Sequence, residues 1–76
     1  MIVYPNPTAD YFNISTEQLD PQSVIYIYDL TGRLVESHEV SGGEMKVGET
    51  LSNGVYFLKI TLNNETQQVI KLVKNF

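Results

Sequence analysis

Few side chains in this sequence are equipped for chemistry, and the first to test is His38, the single histidine, set beside Glu36 and Glu39. An imidazole next to a carboxylate is the base half of a nucleophilic triad. The other half is missing, because the serines are scattered and none sits in the G-x-S-x-G elbow that presents a hydroxyl to its base. His38 therefore reads as a half-exposed residue near the end of a strand. Metal chemistry has no better footing. One histidine and no cysteine cannot complete a zinc site, and Asp10, Asp20 and Asp29 do not follow calcium-loop spacing. A chain of 76 residues also has little room for a pocket of about 300 Å³ or more. The reading is of a protein that is not an enzyme and holds no cofactor.

Recognition chemistry is the remaining option. Tyr4, Tyr11, Tyr26 and Tyr28 supply flat rings that can stack on sugars, as in carbohydrate-binding modules. The competing role, favoured here, is cover for the outer side of a central strand, where an apolar ring body and a polar tip are both useful. Asn13-Ile14-Ser15 and Asn64-Glu65-Thr66 match a glycosylation acceptor pattern that arises often by chance, and Asn64 is better explained as a turn residue. Nine acids against five bases give a net charge of −4 and a pI near 4.6. That argues against a nucleic-acid partner and against adsorption to anionic lipid. The balance is uneven: residues 1–38 carry Asp10, Glu17, Asp20, Asp29 and Glu36 against Arg33 alone, whereas the second half sets four acids against Lys46, Lys59, Lys71 and Lys74. The end of the chain is locally basic, read structurally as lysines guarding an edge strand and functionally as a docking patch.

Such residues must be held by elements, and the pattern predicts only strands. Short β-branched and aromatic runs alternate with turn residues about every ten positions, the spacing of an antiparallel sandwich or barrel. The predicted strands are Ile2 to Tyr4, Tyr11 to Ser15, Val24 to Leu30, Leu34 to His38, Glu44 to Val47, Val55 to Leu62 and Thr66 to Lys74. Pro5 and Pro7 stop the first of them. Asp20 to Ser23 is a turn, Gly32 allows the positive φ of a hairpin between Asp29 and Arg33, Asn53-Gly54 is a turn, and Asn63-Asn64 tolerates left-handed geometry in a tight hairpin. Thr16 to Asp20 has room for one helical turn. Ser41-Gly42-Gly43 breaks the chain before the short Glu44–Val47 run, and Gly48 to Ser52 is a polar connection with weak structure signals. Period-2 alternation places Ile25, Ile27, Tyr56, Leu58 and Ile60 in a central core. With no cysteine, that core has to suffice without disulfides.

No apolar run approaches the roughly 20 residues of a membrane helix. The Met1-Ile2-Val3-Tyr4 opening also lacks the charged and long apolar regions of a signal peptide. If the chain leaves the cytoplasm, its export signal lies elsewhere, and residues 1–76 then read as one excised domain.

Four blocks, taken in order, make the chain recognisable. They are Tyr4-Pro5-Asn6-Pro7 with the strand Asp10-Tyr11-Phe12-Asn13-Ile14; Ile25-Tyr26-Ile27-Tyr28-Asp29-Leu30-Thr31-Gly32-Arg33-Leu34-Val35; Leu51-Ser52-Asn53-Gly54-Val55-Tyr56-Phe57-Leu58-Lys59-Ile60; and Lys71-Leu72-Val73-Lys74. This series resembles the C-terminal sorting domain of the type IX secretion system of Bacteroidetes over residues 4–74. Each block alone is weak, and the combination is specific. Asn75-Phe76 runs slightly past the usual basic ending, and the loop from Ser41 to Glu49 matches no block.

The resemblance implies a seven-stranded antiparallel immunoglobulin-like β-sandwich that labels an N-terminally fused cargo. It implies transit of the periplasm, recognition by the outer-membrane translocon, and removal by a sortase-like cysteine protease that attaches the cargo to an anionic lipopolysaccharide at the cell surface. The domain is a substrate in that scheme. The residues assigned to the sorting motif are Tyr4, Pro5, Asn6, Pro7, Asp29, Gly32, Arg33, Gly54, Tyr56, Lys71, Leu72, Val73 and Lys74. Among them Tyr56 is assigned to the core, Asp29 and Arg33 to a pairing across the Gly32 turn, and Lys71 to Lys74 to translocon recognition through a strand edge or through charge. Unpaired edges also make a weak homodimer conceivable. A fibronectin-like or carbohydrate-binding accessory module of an extracellular enzyme is the alternative.

Overall fold

The computed structural model describes residues 3–75. Seven strands follow one another: β1 (Val3–Tyr4), β2 (Phe12–Ser15), β3 (Val24–Asp29), β4 (Leu34–Glu39), β5 (Glu44–Val47), β6 (Gly54–Leu62) and β7 (Glu65–Lys74). The described residues contain no helix. At Thr16–Asp20 the chain makes a turn closed by Leu19 N–H donating to the Thr16 carbonyl, 3.1 Å, and goes no further.

The connections follow from their residues. Asp20 closes its turn twice, accepting from Ser23 N–H at its carbonyl and from Gln22 N–H at Oδ1. Asn63 and Asn64 both take positive φ, 54° and 64°, as the two-residue loop between β6 and β7 requires. Gly32, at φ 87°, lies in the connection between β3 and β4, where its N–H donates to the Asp29 carbonyl at 3.0 Å.

All strand pairs are antiparallel, and they form two sheets in the orders β1-β2-β5 and β4-β3-β6-β7. The immunoglobulin constant-type arrangement puts its fourth strand in the sheet of the first two. Here β4 pairs with β3 instead, so three strands face four. Between the sheets lie Val3, Phe12, Ile14 and Val47 from the smaller one and Ile25, Ile27, Tyr56, Leu58, Ile60 and Leu72 from the larger, all buried. The five residues assigned to the core from alternation are among them. Side chains alternate between the two faces of a strand, and β2, β3 and β6 bury every second residue. β7 buries only Leu72 and Lys74 near its end, and in β4 the partners of buried Ile25 and Ile27 are His38 and Glu36, with Val35 packed partly against the core.

A recognition pole built from the four sequence blocks

Residues that are distant in sequence meet along one line across the larger sheet. Asp29 on β3 is the cross-strand partner of Tyr56 on β6, and Tyr56 is the partner of Leu72 on β7. Beyond β7, the side chain of Asn6 spans the two residues that flank Leu72. Its Nδ2 donates to the Lys71 carbonyl at 2.7 Å, and its Oδ1 accepts from Val73 N–H at 3.0 Å. At the usual strand spacing, the row Asp29, Tyr56, Leu72, Asn6 covers about 15 Å. One residue from each block therefore stands in a single transverse row at one end of the sandwich.

The leading segment is held there by more than Asn6. Thr8 N–H donates to the Val73 carbonyl at 3.0 Å and Asn75 N–H to the Thr8 carbonyl at 2.8 Å, a parallel bridge between Thr8 and Lys74. Thr8 is buried, and its hydroxyl donates to the Tyr11 carbonyl, 2.8 Å. The proline on either side of Asn6 has no N–H to offer a ladder, so Asn6 makes its strand-like contacts with a side-chain amide. Tyr4 belongs to the other sheet. Its hydroxyl crosses β2 to donate to Glu44 Oε2 on β5 at 2.6 Å, and this bond to a carboxylate raises the phenol's pKa. Tyr4-Pro5-Asn6-Pro7 is thus the crossing from the small sheet to the edge of the large one.

The second block forms the β3–β4 hairpin. Asp29 Oδ1 accepts from the Thr31 hydroxyl at 2.6 Å, from Thr31 N–H at 2.9 Å and from Arg33 N–H at 3.1 Å. The Thr31 hydroxyl first, then the backbone donors and the Arg33 guanidinium, hold the Asp29 carboxyl below its ordinary pKa. Arg33 Nε lies 3.3 Å from Asp29 Oδ2. This pair is exposed and adds little stability; the hydrogen bonds to the turn backbone carry the hairpin. Asp29, Gly32 and Arg33 therefore act within their own loop.

In the third block Tyr56 sits in the core and donates its hydroxyl to the Ser52 carbonyl four residues upstream at 2.8 Å. This is the tyrosine corner of immunoglobulin-like sandwiches, placed at the start of the penultimate strand. The ring lies over Gly54, where a Cβ would be 3.7 Å from the ring edge.

The fourth block departs from expectation. Lys71 is exposed, but Lys74, expected as a solvated lysine, retains only 2% of its surface. It follows Leu72 on the inward face of β7, and its Nζ donates to the carbonyls of Gly48 (2.5 Å) and Glu49 (3.1 Å) in the β5–β6 connection. Leu72 is fully buried in the core. Nor is the backbone edge of β7 open from the Lys71 carbonyl to Lys74, because Asn6 and Thr8 occupy it. Strand addition beyond the Lys71 N–H is blocked.

Two residues at this end escaped the sequence reading. Thr8 is one. Gly48 is the other, and it lies in the connection that matched no block. Gly48 has φ 77°, a Cβ there would come within 2.9 Å of the Phe12 ring, its N–H donates to Glu36 Oε1 at 3.1 Å, and its carbonyl receives Lys74. Glycine followed by polar residues after a short strand was the available signal, but it does not distinguish a free loop from an anchored one. Glu36 Oε1 also binds His38 Nε2 at 2.6 Å, which assigns both side chains to holding the edge strand β4 against the β5–β6 connection. No group of three or more potential metal-ligating side chains occurs among the described residues.

The architecture and the polar contacts at this pole define a sandwich module whose ordered groups bind one another and are not arranged around a reacting centre. Residues 2–75 match the family described as secretion system C-terminal sorting domain, and the chain belongs to that family. It is also similar to the ulvan lyase NLR42 of Nonlabens ulvanivorans, with 31% identity over 75 residues, 96% of this chain and 14% of the lyase. The chain thus spans about one seventh of the length of that relative. It is a type IX secretion C-terminal sorting domain.

Proposed function

We propose that this chain is the export label of a larger cargo fused to its N-terminal side, and that the outer-membrane translocon reads the pole where the leading segment is laid against β7. The observation that supports this reading is the convergence of all four blocks on the row Asp29, Tyr56, Leu72, Asn6. Blocks scattered over seventy residues are then one requirement: they build a single end of the fold. Tyr56, Leu72, Val73, Lys74, Asn6, Asp29 and Gly32 shape that end, and exposed Pro5, Pro7 and Lys71 are the groups on it that a partner can touch. On this reading the cargo crosses the periplasm with the domain folded. A sortase-like cysteine protease then cuts upstream of β1 and anchors the cargo at the cell surface or releases it.

The test is a periplasm-directed reporter carrying residues 1–76 at its C-terminus, produced in a host with an intact or a disabled type IX system. Surface display in the intact host alone supports the assignment. Truncation of Lys71 to Phe76 is a poor probe, since it also removes Leu72 and Lys74 from the interior. Lys71→Glu is the informative variant: it changes an exposed charge at the pole and should lower display while the domain stays folded. Unchanged display would remove Lys71 from the contact surface.

A further inference from the structure

The outward face of the four-stranded sheet shares only Lys71 with the contact groups of the pole, and it carries a cleft of its own. On it a cleft of about 350 Å³ is lined by Tyr28, Leu30, Phe57, Lys59 and Val69, of which Leu30 and Val69 expose 67% and 52% of their surface, with Asp29 and Gly32 at its hairpin end. The Asp29 carboxylate there is engaged by Thr31 and Arg33. Lys59 Nζ stands 5.0 Å from the centre of the Tyr28 ring. Lys71 is the cross-strand partner of Phe57 on the same face. Neither lysine has a carboxylate within salt-bridge distance among the described residues, although acids outnumber bases nine to five in the sequence.

This cleft runs out at an unfinished edge. Val73 and Lys71 turn backbone groups away from β6 toward Asn6 and Thr8, and by ladder alternation Val69 faces the same way. Val69 N–H and carbonyl and Lys71 N–H are thus left open just where the Asn6 contacts stop. An exposed row of this kind is a template for an incoming extended chain.

We propose that the β7 edge at Val69–Lys71 together with the Tyr28–Phe57–Lys59 cleft docks an extended acidic peptide segment, whose backbone continues the sheet, whose apolar side chain enters the cleft and whose carboxylates meet Lys59 and Lys71. This goes beyond the export reading and does not depend on it. Charge selects the occupant. A second copy paired through β7 would bring its Lys59 and Lys71 onto the same face as the first pair, which disfavours it as the occupant. A sugar would need a flat platform, whereas Tyr26 and Tyr28 are tilted 42° to each other and Lys59 covers the second ring.

The experiment is amide chemical-shift mapping of the full chain with an end-capped seven-residue peptide alternating Glu with Val and Phe, and with the same peptide carrying Lys in place of Glu. The expected result is saturable shifts at Phe57, Val69 and Lys71 with the acidic peptide only. Binding should weaken by about fivefold for each of Lys59→Gln and Lys71→Gln, as loss of an exposed ion pair allows. Val69→Pro should abolish it while leaving the melting temperature near that of the parent, since the lost N–H points away from β6 and proline is tolerated there. Equal binding of the lysine peptide, absence of saturable shifts, concentration-dependent self-association that accounts for the same shifts, or unchanged binding by folded Val69→Pro would each overturn the proposal.

Discussion

The ammonium of Lys74 ends 2.5 Å from the carbonyl of Gly48, twenty-six residues away, so the last strand residue anchors the connection between β5 and β6 from inside the sandwich. Gly48 in turn binds Glu36 on β4 through its N–H. A lysine that the sequence offers as surface charge is therefore a strut between the end of β7, the smaller sheet's last loop and the far edge of the larger sheet. The loss of solvent around its ammonium is offset by these carbonyl acceptors, and its methylene stem adds apolar contact on the core side.

Lys74→Met retains the stem and removes the donor, leaving the buried Gly48 carbonyl without it. Stability should fall by about 1–3 kcal/mol. Lys71→Met, at an exposed position, should stay within about 0.5 kcal/mol of the parent. Urea denaturation of the two variants side by side checks the contrast, and equal effects would contradict the buried role of Lys74.

Asn6→Ala removes both side-chain bonds to β7 and should cost about 1–2 kcal/mol, the site being partly open to water. Hydrogen exchange gives the sharper measurement. The Val73 amide, which donates to Asn6 Oδ1, should exchange faster in the variant, whereas the Leu58 amide in the middle of the sheet should be affected only through global stability.

At Tyr56 a single atom is at issue. Tyr56→Phe keeps the ring in the core and deletes the bond to Ser52, for an expected loss of about 1 kcal/mol, while Tyr56→Ala also opens a cavity and should cost about 3–5 kcal/mol. Thermal unfolding of both separates the corner bond from the packing.

Gly48→Ala should destabilise by more than 1 kcal/mol, roughly the scale of strain at a positive φ with no free space. Gly43, whose added Cβ would meet only the flexible Glu17 side chain at 3.4 Å, serves as the control, and Gly43→Ala should be near neutral. Denaturation midpoints decide between them.

Acid should loosen the β3–β4 hairpin. The folded-state pKa of Asp29 lies below its unfolded value because Thr31 and Arg33 donate to the carboxylate. Its contribution is then complete above the unfolded pKa and is lost as pH falls through the folded one. The stability difference between the parent and Asp29→Asn should be largest near neutrality and shrink below about pH 4. A difference that is flat with pH would mean that the carboxylate's charge plays no part.

Much of the fold was legible because its signals are local. Alternation in Val24–Asp29 and Gly54–Leu62 marked the central strands and their buried residues, and Asn63-Asn64 and Gly32 marked hairpins through backbone geometry that few other residues accept. Among the described residues no strand end differs from the reading by more than one position, as at Leu30, which leaves β3 for the hairpin loop; the predicted start at Ile2 lies outside the described residues. The candidate site was legible as a list of residues. Their roles were not, since neither the burial of Lys74 nor the occupation of the β7 edge by Asn6 leaves a trace in sequence spacing.

By itself the sequence determined an all-β sandwich without cysteine and with one histidine, and an ordered set of four blocks that mark a sorting domain. Only the tertiary structure decided that these blocks form one pole, that Lys71 faces water while Lys74 faces the core, and that an apolar, lysine-bearing cleft lies beside an open stretch of β7. The physical reason is that strand identity depends on near neighbours along the chain. Which strands pair, in what register, and which end of a lysine side chain finds carbonyl partners depend on contacts between residues tens of positions apart.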